Sequence, residues 1–488
     1  MKWYRRLALS IVIGSFLPAS LAQAQELYFD DVLKTAFSNH PDLQSSAVQV
    51  KMRKAEGMQI EGALDTRYGA SIGVSDEQSQ ATNAFSPEAN NVAFVSGQLS
   101  KTFSGGSSLT GTLNYNRSEL AYPSTTPANI QSSPNPIYMH QIDLIYRYPL
   151  ASGADNPTYR YQKDAARQEV KAAEFRVQML REQLANQGIA LYFQFILSDL
   201  SLELAKDGVV RAKRLLSYQK KRERFGLIEK SERLQAEALL ATRQLQQVQA
   251  VSARDMAQTA LNRFMFKAGG QPIEPKLKSV HAPRMTESEM FLLAELRRPI
   301  FKVLKAQYAA AEARLAQANE SDEHQLDLVG QVGSRALDEG SGAAFGQGFT
   351  LNDRFVALRV EFSDVFDNKT SRAVIQRNVL ALENIKIEQR KTIENIKTEL
   401  ANIAAMIRGG EATLKASKQQ VNAEKKKFNA EMLRYQEGRS STTAITQFEG
   451  DLRSAELRAL IQKVSLNQAE YQLALTLGKL PAVFGEEL

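Results

Sequence analysis

The chain contains no cysteine. That excludes a lipid-modified N-terminal cysteine and any disulfide framework. It does not exclude export, since an exported bacterial chain can be stabilised by other means. Histidine is scarce: His40, His140, His281 and His324 stand apart, none at a metal-ligand spacing from another. No Gly-x-Ser-x-Gly elbow and no phosphate-binding loop occurs. No catalytic constellation, metal site or cofactor is therefore expected. His40, just before a proline, reads as structural. The net charge is +7, from 61 basic and 54 acidic residues that are interspersed, and part of the excess falls in the first residues. There is no basic block with interleaved aromatics, so nucleic acid is not an expected partner. Lys425, Lys426 and Lys427 read as an exposed helical face. After residue 24 no stretch reads as apolar enough for a membrane helix, so any membrane crossing would fall to strands.

Proline is missing from two long intervals, between Pro157 and Pro272 and from Ile300 to Leu480. The first interval is rich in Ala, Leu, Gln, Glu, Lys and Arg, which favour long exposed helices. Asn156 suits an N-cap and Pro157 the first helical position. An unbroken helix from there to Gly226 would run about 105 Å. Val170, Val177, Leu184 and Leu191 recur every seven residues, with Ala173 and Leu180 in the offset slot, as in a coiled-coil seam. Gly226 ends this arm, and a return helix is expected from Ser231 to Phe266. The object is a long antiparallel helical hairpin.

It occurs twice. Asp155-Asn156-Pro157-Thr158 reappears as Asp367-Asn368-Lys369-Thr370, and Gly226 reappears as Gly438, each 212 positions on. Gln235 and Glu237 return as Gln447 and Glu449 at the same offset. The second arm has its own heptads, with Ile375, Leu382, Ile396 and Ile403 in one slot. A fixed large period indicates a duplicated unit. The first repeat spans 25–287: helix 30–64, strands within 66–150, long helix 156–225, return helix 231–266 and a linker 267–287. The second spans 288–488: helix 289–319, strands within 325–362, long helix 368–437, return helix 442–477 and a short tail. Asp30 or Asp31 is the expected cap of the first helix.

Residues 1–24 read as a cleavable secretory leader. Lys2, Arg5 and Arg6 precede an apolar run from Leu7 to Leu17, and Ala22-Gln23-Ala24 is a small-x-small cleavage site. Between Thr66 and Leu150 the period changes to two. Tyr68, Ala70, Ile72 and Val74 alternate with small polar residues, as do Val95, Gly97 and Leu99, then Leu109, Gly111, Leu113 and Tyr115, then Ile142, Leu144, Tyr146 and Tyr148. Gly105-Gly106 suits a tight hairpin turn, and 122–136 is a long polar loop. The second repeat has only two such runs, 325–335 and 354–362, around a Gly/Ser-rich loop at 340–348. Strands of about ten residues with one apolar face suit an outer-membrane barrel. Four to six strands cannot close one, and an open edge is untenable in lipid. The strands must then be pooled by several chains.

This layout resembles the TolC family of outer-membrane efflux channels over essentially the whole mature chain. The most specific parts are Arg222 to Glu237, Arg434 to Glu449, and Asn39-His40-Pro41. The resemblance implies a mixed fold: a long α-helical coiled-coil barrel, built from two duplicated hairpins per chain, plus a transmembrane β-barrel shared among chains. It implies a homotrimer in outer-membrane lipid, its helical part in the periplasm. Its hairpin tips would meet a periplasmic adaptor linked to an inner-membrane pump or ABC transporter, in efflux or type I secretion. The tip residues carried over are Arg222, Phe225, Gly226, Leu227 and Ser231, with Arg434, Gly438, Arg439 and Ser441. For the entrance, Tyr435 stands where the family has a closing tyrosine, and Glu232 where it has an aspartate. Ser440 replaces an expected arginine. Ala444 and Gln447 replace an acidic pair, leaving Glu449 as the nearest acid. The extra hairpin near 92–115 departs from a four-strand pattern; it either widens the barrel or lies outside the membrane. The competing reading is a periplasmic adaptor, which should carry one hairpin. A plain diffusion porin would not need such helices.

Overall fold

The computed structural model describes residues 25–480 except 84, 132–134, 268–272, 279–284 and 351. The expected leader, His281, the middle of the linker and the tail from 481 lie outside the described residues. The first half runs β1 (Gln25–Leu27), α1 (Phe29–Asn39), α2 (Pro41–Glu61), β2 (Arg67–Gln78), β3 (Ala89–Thr102), β4 (Ser108–Ala121), α3 (Ala128–Gln131), β5 (Ile137–Pro149), α4 (Pro157–Arg224), α5 (Lys230–Phe264) and β6 (Ile273–Pro275). The second runs α6 (Glu287–Arg297), α7 (Pro299–Glu320), β7 (Gln325–Asp338), α8 (Ser341–Gly348), β8 (Arg354–Ser363), α9 (Lys369–Gln436) and α10 (Thr442–Thr476). Two compact units emerge. One holds the chain to Gln44, Gln178–Arg298 and the part after Asn395; the other holds Ser45–Val177 and Pro299–Glu394.

The duplication is metrical. α4 and α9 each have 68 residues, and α5 and α10 each have 35. Both long helices end in the same way. Leu227 N–H reaches Arg222 O at 3.0 Å and Gly226 N–H reaches Glu223 O at 2.9 Å; Arg439 and Gly438 repeat this pair at 2.8 and 3.0 Å. These are Schellman closures, which satisfy the last carbonyls and demand a left-handed residue. The glycines supply it, with φ +71° and +79°. At the other end of α4, Asn156 Oδ1 accepts the Tyr159 N–H at 3.3 Å. Asn368 instead donates to Asp322 at 2.8 Å.

Several boundaries differ from the sequence reading. The helices expected over 30–64 and 289–319 are each two helices, broken at His40-Pro41 and Arg298-Pro299. A proline has no N–H and forces the preceding residue out of the helical region; His40 and Arg298 are extended, with ψ of 121° and 132°. The acids at the start of α1 do not stand at its N-cap: α1 begins at Phe29, and Asp31 lies in its first turn, accepting the Tyr28 N–H at 3.4 Å. α6 starts before Glu289, because Thr286 and Glu289 form a capping box there, at 3.3 and 2.8 Å. α5 starts at Lys230, one residue before Ser231.

The first unit is cored where α1, α4 and α10 meet the β1–β6 pair. Val32, Leu33, Ala36, Ile189, Phe195, Leu261 and Leu477 are fully or almost fully buried. Phe29, Tyr192, Phe193 and Tyr471 make a ring cluster with centroids 5.2–5.8 Å apart. The Tyr192 hydroxyl lies 3.0 Å from Leu27 O and 2.7 Å from Lys276 O, so its single proton serves carbonyls beside both short strands. Tyr471 donates to Lys278 O at 3.0 Å. Burial pushes the Tyr192 phenol up, and the Tyr471 phenol up to about 12. This core also corrects one reading of the sequence. α4 does contain an 18-residue window of mean hydropathy 1.3, apolar enough by composition to cross a membrane. Half of it is buried inside the protein.

The second unit holds one antiparallel sheet of six strands, in the order β2-β3-β4-β5-β7-β8. Its register places side chains in rows. Tyr68, Leu99, Gly111, Leu144, Val332 and Val356 are successive partners across all six strands. The next row, Gly69, Gln98, Thr112, Asp143, Gly333 and Phe355, points to the other face. The segment read as a Gly/Ser loop at 340–348 contains helix α8, laid against β5 and β7. Phe345 and Phe349 cover the buried His140 ring at 4.9 and 5.0 Å, and a side chain at Gly348 would fall on that ring. Tertiary packing here overrides a weak local helical preference.

Candidate functional site

The two hairpin tips come together in the first unit. Ala212, Leu215, Leu216, Ala236, Leu239, Tyr435 and Ile445 form one buried cluster drawn from both hairpins. Tyr435 is fully buried, as is Gln219, and the amide of Gln219 donates to both the Tyr435 and Thr442 hydroxyls. The Thr442 hydroxyl lies 3.0 Å from that of Tyr435 and donates to Glu232 at 2.8 Å. Because Thr442 has one proton and gives it to Glu232, the Tyr435 hydroxyl is the donor in their contact. The order is Tyr435 to Thr442 to Glu232. Burial raises the Tyr435 phenol. Among the described residues, Gln219 Oε1 is buried without a hydrogen-bond partner. The guanidinium of Arg222 lies 5.8 Å over Tyr218 and 5.7 Å over Tyr435, so it roofs the network instead of projecting.

Of the entrance residues named from sequence, Glu232 and Tyr435 meet only through Thr442. Ser440 donates to Glu431 at 2.5 Å, and Gln447 to Asp451 at 3.1 Å. Glu449 is not an open acid. It is buried, Arg211 Nε lies 3.3 Å from it, and Arg243 Nε donates to it at 3.1 Å. Arg211 also reaches Glu456 at 3.0 Å. Arg453 donates to Gln246 beside this cluster; burial first, and then neighbouring Arg243, lower its affinity for a proton. Sequence reasoning missed Gln219, Thr442 and these arginines. Gln219 stood in the seam that carries Ala212 and Leu215, and a polar residue in a seam was the available signal. Thr442 had none, since its counterpart in the first repeat is Lys230.

The outer surfaces of the two tips differ. Phe225 and Leu227 are 78% and 63% exposed beside Gly226, where a Cβ would meet nothing within 4 Å. At the matching positions around Gly438 stand Glu437 and Arg439, an exposed ion pair at 3.4 Å. Arg434 is exposed and pairs with Glu431 at 3.5 Å. Ser441 caps α10 by accepting the Ala444 N–H at 3.2 Å, whereas Ser231 is an exposed residue inside the first turn of α5.

The sheet supplies a second surface. One face is apolar; α8 covers it around His140 and Tyr115, and elsewhere it is open, with Tyr68, Ile72, Val74, Val356, Leu358, Val360 and Phe362 all exposed. The other face carries a polar network. Arg147 bonds Asp327 at 2.6 Å and Glu361 at 2.8 Å, Gln331 bonds Asp143 at 3.3 Å, and Arg359 bonds Gln331 at 3.3 Å. Among the described residues, the outer edges of β2 and β8 have no strand partner, and no group of acids and histidines is placed to hold a metal ion.

Comparison of the whole chain with solved structures identifies this arrangement. The outer-membrane channel OprN superposes with a TM-score of 0.69 at 16% identity, over 93% of this chain and 90% of that one. The fold is that of the TolC family. The CmeC outer membrane channel of Campylobacter jejuni gives 0.67 at 13% identity, over 94% of this chain and 87% of that one. VceC, an outer membrane protein of Vibrio cholerae, gives 0.67 at 14%, over 92% and 96%. No protein-family model and no curated protein matches the sequence. The TolC fold combines a helical barrel with a β-barrel, and the open sheet of this one chain is consistent with a barrel shared among chains.

Proposed function

We propose that the chain is one subunit of a trimeric outer-membrane exit duct in a tripartite efflux or type I secretion system. It would carry substrate from a periplasmic adaptor, and behind that an inner-membrane pump or ABC transporter, to the outside. The role is conduction, not catalysis. The carrying observation is the sheet: an exposed apolar face, a polar face, and two unpaired edges. Closed membrane barrels need about eight or more strands, and unpaired backbone groups in lipid cost several kcal/mol each, as an order-of-magnitude figure. The edges run oppositely, β2 leaving helix α2 and β8 entering helix α9, so β8 of one copy can extend β2 of the next in antiparallel fashion. Exposed apolar residues on the helices, Leu245, Val248 and Met256 on α5 and Val379, Leu380 and Ile387 on α9, suit neighbouring copies as well. Residues 1–24 would direct export and be removed. The tips, Phe225 to Leu227 and Glu437 to Arg439, would dock the adaptor, and the Tyr435–Thr442–Glu232 chain would hold the entrance closed.

The test is the mass of the protein taken by mild detergent from the outer-membrane fraction. A trimer is expected. A monomer, or a protein found only in the soluble periplasm, would overturn the duct and favour an adaptor.

A further inference from the structure

We infer that the β3–β4 hairpin is part of the membrane wall, so that three copies close a barrel of eighteen strands instead of the twelve that four strands per chain would give. This rests on the trimeric duct proposed above and goes beyond it. The family pattern left open whether the additional hairpin widens the barrel or lies outside the membrane.

Three observations place it in the wall. The first is register. β3 pairs with β2 from Ala89 to Ser100 on one side and with β4 along its whole length on the other, and β4 continues to β5. A hairpin appended outside the membrane would not need to sit between strands of the sheet. The second is sidedness. Val95, Gly97 and Leu99 of β3 and Leu109, Leu113 and Tyr115 of β4 lie on the same face as Leu144, Tyr146 and Val332. Ser96, Gln98, Ser100, Thr110, Thr112 and Asn114 lie on the face of Asp143 and Arg147. A one-residue slip would reverse every side chain, so the inserted strands are in phase with the apolar and polar faces of the others.

The third is the placement of turns. The β3–β4 turn is tight, with Phe103 N–H bonded to Ser107 O at 2.8 Å and Gly106 at φ +88°. A Cβ on Gly106 would stand 3.2 Å from Pro149 Cγ and 3.3 Å from Asn156 N. The turn therefore lies against the junction of β5 with α4, at the helix-bearing end of the sheet. The longer connections, from β2 to β3, β4 to β5 and β7 to β8, leave the strand ends at the other end of the sheet. Short turns on the periplasmic side and longer loops outside are the rule for outer-membrane barrels. Both inserted strands have 14 residues, ample for a tilted crossing that takes about 9–11. Barrel diameter grows roughly in proportion to strand number, so the exit would be wider by about half. Barrels of about 16–18 strands hold an open aqueous channel. The inserted sector carries no charge on its polar face; it offers mainly hydroxyls and amides, with Val92, Phe94 and Leu120 toward the end away from the helices.

The absence of native cysteine makes the test direct. Single Val95→Cys and Leu113→Cys variants of the full chain, labelled with an environment-sensitive fluorophore in proteoliposomes, should be quenched by brominated lipid as strongly as Leu144→Cys and Val332→Cys controls. Ser96→Cys and Asn114→Cys should instead react with a charged, water-soluble thiol reagent at least tenfold faster than those four. Quenching at Leu144 and Val332 but not at Val95 and Leu113 would overturn the inference and leave the duct standing. Loss of quenching at all four would overturn both. A second variant lacking 89–121 keeps β2 antiparallel to β5 with Tyr68 on the same face as Leu144. Its detergent-solubilised trimers, imaged by electron microscopy, should have a barrel narrower by about a third; an unchanged diameter would refute the eighteen-stranded wall.

Discussion

The two hairpin tips are built on one backbone and finished with different chemistry. Each ends in a left-handed glycine inside the same pair of closing hydrogen bonds. Yet Phe225 and Leu227 flank Gly226, while Glu437 and Arg439 flank Gly438. The opposite ends of the return helices show the converse. After α10 the closing residue is Gly478 at φ +67°, where a Cβ would stand 2.6 Å from that of Arg297. After α5, 212 positions earlier, it is Phe266 at φ +50°, whose ring lies 4.9 Å from that of His40. Duplication preserved the backbone closure at all four ends. The flanking side chains differ with their surroundings: exposed at the tips, and against other parts of the protein at the opposite ends, where Phe266 meets His40 and Gly478 meets Arg297. A left-handed non-glycine costs about 1–2 kcal/mol, and the contact of the half-exposed Phe266 ring with His40 acts against that cost.

The comparison can be broken most severely at the tips. Phe225→Asp with Leu227→Asp should cut export by about a hundredfold, since buried apolar side chains contribute roughly 1.5–3 kcal/mol each at an interface. Glu437→Lys should cut it only a few-fold, and in a salt-dependent way, because exposed pairs are worth about 0–1 kcal/mol. Transport assays on cells carrying each variant check this; equal losses would mean that the proposed docking does not distinguish the tips. At the other closures, Gly478→Phe should destabilise by about 2–4 kcal/mol through overpacking and a left-handed side chain. Phe266→Gly should stay within about 1 kcal/mol of wild type, as relieved strain balances lost packing. Thermal denaturation in detergent separates the two.

Next comes the network joining the tips. Thr442→Val takes away the acceptor of the Tyr435 proton and a donor to Glu232 and should cost about 1–3 kcal/mol. Gln219→Leu should cost less, because it also removes the unpartnered Oε1. A larger loss for Gln219→Leu than for Thr442→Val would show that Thr442 is not the link. The smallest effect is at alkaline pH. The Tyr471 phenol is held up at about 12 by burial, above its ordinary value near 10. The folded state therefore keeps its proton longer than the unfolded chain does. That stabilisation is fully present below about pH 10 and is lost as pH rises through about 12. Tyr471→Phe should flatten denaturation midpoints between those limits; an unaltered slope would count against the buried phenol as its source.

Legibility in the sequence followed the range of the interaction. The hairpins and tip glycines were visible because heptads, a missing proline and a fixed offset are local signals. The strand alternation was visible for the same reason, down to the four runs of the first repeat and the two of the second. The family resemblance points to Tyr435 and Glu232 through their distances from the tip glycines, but nothing local points to Thr442, whose hydroxyl stands between them. Glu449 was read as an acid near an opening because its place on the helix was known and its arginines were not. α8 was read as a loop because its support is an aromatic cover over His140, formed with residues some two hundred positions away.

By itself, then, the sequence determined the long helices and the six strands of the sheet, that the hairpins occur twice, and which face of each strand is apolar. These depend on residues within a few turns or pleats of one another. Only the tertiary structure decided that the inserted hairpin stands within the sheet, that Glu449 is locked between arginines, and that Thr442 joins the tips. Each of those depends on which distant side chains become neighbours. Local periodicity leaves that undetermined, because many pairings bury the same faces and only one also satisfies the hydrogen bonds and charges at their margins.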